Sequence, residues 1–204
     1  MLDVLKIPPA ELFAILVAIS FAAGLNVYAT IAVLGLLARF AHLPLPAALQ
    51  LLQGWPIIAA STALFVIEFF ADKIPAFDLI WNALHTFIRV PIAGLLAYRA
   101  TSQLSPEHQL LAALLGALVA LIAHGGKTAV RATVTPSPEP ISNIGLSLGE
   151  DFVAISLTWL ATRHPYVAGA LAVGFVVVIV VLIKLVVCAL RALFRGAEQE
   201  MFPR

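Results

Sequence analysis

Six ionisable residues crowd into one stretch of an otherwise apolar chain. Residues 65–91, FVIEFFADKIPAFDLIWNALHTFIRVP, carry Glu68, Asp72, Lys73, Asp78, His85 and Arg89. Ionisable groups set in lipid-facing sequence are costly, so they mark a functional centre by default. Glu68 and Asp72 are four residues apart, as are His85 and Arg89, and each pair shares one helical face. If the turn near Lys73 makes a helical hairpin, the acidic pair meets the basic pair. That meeting would be either a static ion-pair brace or a substrate site, and both readings stand at this point. His85 is a candidate proton relay, since an unperturbed imidazole titrates at about pH 6.5.

A second constellation lies downstream. His124, Lys127 and Arg131 fall at i, i+3 and i+7, one stripe of a helix interrupted by Gly125 and Gly126. The stripe is either an anion- or proton-handling face or a set of groups that have reached the headgroups, the second being favoured. Glu150 and Asp151 sit about 12 Å into their span at roughly 1.5 Å per residue. Carboxylate stems are too short to snorkel from that depth, so these two are natural partners for Lys127, Arg131 or Arg89. Asn26, in Gly24-Leu25-Asn26, falls where the first apolar run has a break or tilt point.

Other chemistry finds little support. Gly145-Leu146-Ser147-Leu148-Gly149 matches G-x-S-x-G, but a nucleophile elbow needs a strand–turn–helix context. The glycines are better suited to close helix packing. His85 and His124 have no companions at metal-ligand spacing, and no nucleotide-binding loop occurs. The expectation is therefore no enzyme, no catalytic residues, no metal and no cofactor. Cys188 is a lone small hydrophobe in the most apolar run. The scattered cations and formal net charge of +1 give no basic stripe for nucleic acid.

The elements that must position these groups follow from composition. The chain is 62% hydrophobic and 11% charged, with a mean hydropathy of +1.03, too few charges to coat a soluble domain. The predicted fold is all-α: a single polytopic transmembrane bundle, residues 1–204, of about six helices. The expected spans are 9–40, 55–71, 79–98, 107–131, 142–162 and 165–193, each near or above the ~20 residues that cross the hydrocarbon core. The N-terminal apolar run continues past any cleavage point and reads as a retained span. Proline at 91 predicts a kink, and Lys184 is expected to snorkel.

Two junctions look alike: Ala71-Asp72-Lys73-Ile74-Pro75 and Ala161-Thr162-Arg163-His164-Pro165. They suggest that 9–101 and 106–195 are inverted three-span repeats, a plan common in secondary transporters. Six spans would place Lys6, Lys73, Arg131, Arg191, Arg195 and Arg204 on one side, against Arg39, Arg99 and Arg163. By the positive-inside rule both termini would be cytoplasmic.

The segments SFAAGLNVY (20–28), ADKIPAFDLIWNALHTFIRVPIAGLLA (71–97), HGGKTAVRATV (124–134) and SPEPISNIGLSLGEDFVAI (137–155) resemble a bacterial integral-membrane family, domain of unknown function 4126. The resemblance covers nearly the whole chain. It implies a compact polytopic protein of the bacterial inner membrane with these polar motifs as its signature, and it brings no activity with it.

The leading functional expectation is a small secondary transporter or channel-like permease. Its midplane site would comprise Asn26, Glu68, Asp72, Lys73, Asp78, His85, Arg89, His124, Lys127, Arg131, Glu150 and Asp151, handling a small ion or solute. The alternatives are a lipid-handling protein, in which Arg89, Lys127 and Arg131 grip a headgroup, and a non-transporting scaffold. Besides the lipid bilayer, a second copy of the chain is an expected partner.

Overall fold

The structure, a computed structural model, describes residues 7–134 and 140–201, with side chains throughout except at 75–79, 132–134, 140–143, 189–190 and 192–201. Among the described residues the chain forms seven α-helices and no strand: α1 (Pro9–Leu25), α2 (Val27–Phe40), α3 (Trp55–Ala71), α4 (Pro75–Ala100), α5 (Pro106–Val134), α6 (Pro140–Arg163) and α7 (Pro165–Met201). A short 3₁₀ helix, Ala47–Gln53, precedes α3.

Six of the seven helices have proline at their first or second position. Proline's fixed φ suits a first turn, and its missing N–H is one that a helix start leaves unpaired anyway. The same residue cannot continue the preceding helix, so each proline ends one element and opens the next. Only α2 starts differently. Asn26 is extended (φ −150°, ψ 101°), and its side-chain oxygen accepts from the Ala29 N–H at 2.9 Å. That is an N-cap, placed inside what reads in sequence as one continuous span.

The first span of the sequence reading, 9–40, is therefore not a single crossing helix. It is two helices, and the second turns back. At the break, Ala23, Val27 and Tyr28 pack with Ala93 and Ala120 in the middle of α4 and α5. At the far ends, Leu12 and Ile7 on one arm pack near Ala100, the last residue of α4. Leu34 and Leu43, on and just past the other arm, pack near the same Ala100. Both open ends thus lie at one end of the bundle, and α1–α2 is a helical hairpin with Asn26 at its tip.

The hairpin's first arm is also the core. α1 packs against α4, α5, α6 and α7, and eleven of its seventeen residues are buried. A helix apolar all round belongs inside a bundle, and α1 shows no polar stripe. Small residues permit the approach: a Cβ on Gly24 would stand 2.5 Å from the Ala120 carbonyl oxygen of α5.

Four helices, α4 to α7, are long and apolar enough to cross a membrane; the 3₁₀ segment with α3 makes a fifth, bent by 65°. α7 is the most apolar, with a mean hydropathy of 3.2 and only 6% of that window buried, which makes it a peripheral helix facing lipid. α5 runs unbroken through Gly125 and Gly126, and α4 through Pro91. A Cβ at Gly145 or Gly149 would meet nothing within 4 Å, so these glycines do not serve the close packing expected of them.

Candidate functional site

The tip of the hairpin meets a buried polar network built by α3, α4, α5 and α6. Glu68 is one turn from the end of α3, and Asp72 caps that end. Across from them on α4, Arg89 forms an ion pair with Glu68 in which neither side chain has solvent exposure. The stripe of α5 enters the same space. Lys127 donates to Asp72 at 3.0 Å and lies 3.2 Å from Glu150 and 3.9 Å from Glu68. Arg131 reaches Asp72 at 3.1 Å and forms a two-nitrogen contact with Glu150. Both cations are buried, which overturns the favoured reading that this stripe had reached the headgroups.

The histidines are also buried, and their partners fix their tautomers. Arg89 can only donate, so the His124 Nδ1 that it meets at 2.9 Å must be unprotonated. The His124 proton is then on Nε2, facing the Asn82 carbonyl at 3.1 Å and Thr86 Oγ1 at 2.8 Å. His85 Nδ1 faces the Trp81 carbonyl, an acceptor, at 2.8 Å, so it carries the proton. His85 Nε2 faces the Tyr28 hydroxyl at 3.1 Å, a group that can donate to it or accept from it. His124 is neutral in this arrangement.

Asp151 stands apart from the other carboxylates. Its Oδ1 receives the Asn26 side-chain N–H at 2.9 Å, and among the described residues it is in no ion pair. Asn26 therefore uses both ends of its amide, one to cap α2 and one to hold α6. Lys73, in the α3–α4 turn, is only partly buried; its ammonium donates to the Phe69 carbonyl at 2.6 Å and lies over the Phe69 ring. Burial pushes Lys73 below its ordinary value, against the pull of the Asp151 and Asp72 carboxylates.

Eleven of the twelve residues singled out in the sequence thus fall in or beside one region, while the Asp78 side chain lies outside the described residues. Sequence reasoning missed Tyr28, Asn82, Thr86 and Ser147. Tyr28 and Asn82 sit two residues from Asn26 and three from His85, within polar motifs, but uncharged side chains give no signal against an apolar background. Among the described residues no cluster of His, Cys, Asp and Glu is arranged to hold a metal ion.

Fold and site together define a helical membrane protein with a buried ionisable centre. The chain belongs to the family described as domain of unknown function (DUF4126), whose profile matches residues 13–185 and so takes in every residue of the centre. No curated protein and no solved structure matches the chain.

Proposed function

We propose that the protein is a small secondary transporter whose permeation centre is the network around Asn26. The observation that carries this reading is the broken-helix tip at Asn26, hydrogen-bonded to Asp151 inside a set of buried charges. Interrupted helices that end at a midplane ion site are the recurring device of secondary transporters, because a helix end supplies unpaired backbone groups where a continuous helix has none. Arg89, Lys127 and Arg131 are each engaged by carboxylates, which supports handling of a cation or proton rather than an anion.

In this proposal the six expected spans become five crossings and a re-entrant hairpin. The N-terminal arm and the end of α7 then lie on opposite sides, rather than both in the cytoplasm. The finer idea of inverted halves is supported by the two like junctions. Asp72-Lys73 lies at the network's end of the bundle and Arg163-His164 at the hairpin's open end. The halves differ in their first element, a hairpin in one and the continuous α5 in the other.

A lipid-handling role draws on a different feature. A cleft of about 210 Å³ lies at the hairpin's open end, lined by Leu16, Ile19, Leu34, Leu43, Leu96 and other mostly apolar residues. It is shaped for an acyl chain, but it holds none of the network's charges.

The test is reconstitution into liposomes with imposed ion gradients and a panel of inorganic cations, inorganic anions and small organic solutes. Transport predicts uptake of at least one class, abolished by Glu68→Gln and by Glu150→Gln. Uptake no different from protein-free liposomes across the panel, or full activity in both variants, would remove the assignment.

A further inference from the structure

The network's carboxylates are not equivalent. Glu68 pairs with Arg89 and Lys127, Asp72 with Lys127 and Arg131, and Glu150 with Lys127 and Arg131. Among the described residues the one hydrogen-bond partner of Asp151 is the neutral amide of Asn26. Asp151 is also, among the described residues, the one carboxylate of the network outside an ion pair, and the Lys73 ammonium feels it only at longer range. Asp151 is the odd one.

Two unpartnered atoms lie beside it. Asp151 Oδ2 is buried without a hydrogen bond, and so is Ser147 Oγ, four residues earlier on α6. Residues at that spacing share a helix face. A buried carboxylate that has no directly paired cation and incomplete hydrogen bonding is costly to keep ionised, which favours uptake of a proton. Protonation at Oδ2 leaves the Asn26 bond at Oδ1 intact and removes the charge from an oxygen that has no hydrogen-bond partner. Deprotonation leaves Asn26 as its one strong partner and so loads the hairpin tip.

We propose that Asp151 is an exchangeable proton-binding site whose occupancy is sensed at the re-entrant tip through Asn26. This deepens the transporter reading and rests on it for the coupling step alone. The proton moves to Oδ2 from water and returns to water, with no other bond made or broken. A metal cation is poorly served here. Leu25 O, the carbonyl at the end of α1, already faces the Lys127 ammonium at 3.4 Å. Charged and titratable groups around the site come from every packed element. α2 brings Tyr28, α3 brings Glu68 with Asp72, and the α3–α4 turn brings Lys73. α4 brings His85 and Arg89, α5 brings His124, Lys127 and Arg131, and α6 itself brings Glu150. Lys184 and Arg191 of α7 are exposed.

Infrared difference spectroscopy of the purified protein in nanodiscs, titrated with acid, tests the site without any substrate. The expected result is a protonated-carboxyl band that titrates, is missing in Asp151→Asn and persists in Glu150→Gln. Asn26→Ser keeps the capping oxygen but loses the amide donor, so the band's midpoint moves up by about one pH unit. A band unchanged in Asp151→Asn, or a midpoint unmoved in Asn26→Ser, overturns the proposal. Loss of the band on adding sodium at fixed pH would also overturn it, by showing a metal cation as the ligand. A titrating Asp151 in a protein that moves no solute would sink the transporter reading and leave the proton site standing.

Discussion

Glu68 on α3 and Arg89 on α4 are joined by an ion pair, and both side chains are fully buried. α3 and α4 make few other contacts, since α4 packs chiefly on α5 and α3 on α2. The pair therefore joins the Asp72 contacts to Lys127 and Arg131 in holding α3 to the rest of the network. Removing one partner strands a charge in a low-dielectric interior, which costs about 3–5 kcal/mol. Arg89→Met should lower the thermal stability in detergent by that order, whereas Glu68→Leu combined with Arg89→Met should recover most of the loss. The exchanged pair Glu68→Arg with Arg89→Glu separates the functional readings. Recovery of both fold and activity would mark the pair as a brace; a folded protein without activity would place it in the centre.

The hairpin makes a topological prediction. In a background with Cys188→Ser, cysteines placed at Ile7 and at His42 should react with a membrane-impermeant maleimide from the same side of sealed vesicles. His42 is well chosen, because it follows α2 in a left-handed conformation (φ 52°) with an exposed side chain. A single crossing span over 9–40 would put the two cysteines on opposite sides. Labelling from opposite sides would therefore refute the hairpin.

Much of the centre was legible because charge is conspicuous in a chain that is 11% charged. Glu68, Asp72, Arg89, Lys127, Arg131 and Glu150 announce themselves by type and by helical spacing, and proline marked nearly every helix start. The hairpin was not legible, for a physical reason. A helical hairpin buried in protein needs the same apolar composition as a span buried in lipid, so hydropathy over 9–40 does not distinguish them. The one local clue was Asn26, whose N-cap role needs only a side-chain oxygen and a broken backbone. The stripe on α5 misled for a related reason. Lys127 and Arg131 lie near a helix end, where snorkelling is the usual solution, and only the acids contributed by α3 and α6 make burial the better one. Ser147 was set aside because its flanking glycines suggested packing, yet Gly145 and Gly149 touch nothing and the serine is the buried residue.

The glycines supply the last prediction, with an internal control. At Gly24 an added Cβ would meet the backbone of α5, 2.5 Å from Ala120 O and 2.8 Å from Ala120 Cα. Backbone cannot rotate aside as a side-chain end can, so α1 must shift. Overpacking of this kind costs roughly 1–3 kcal/mol. At Gly145 and Gly149 nothing stands within 4 Å, so alanine there should be neutral or stabilising by up to about 1 kcal/mol, through its better helix propensity. Melting temperatures of Gly24→Ala, Gly145→Ala and Gly149→Ala in one detergent would compare them directly. The shift at Gly24 is two residues from Asn26, so it should also lengthen the 2.9 Å bond to Asp151 and impair any activity that depends on the tip. Equal stability of Gly24→Ala and Gly145→Ala would mean that α1 does not pack against α5 as described, and the tip's position in the network would go with it.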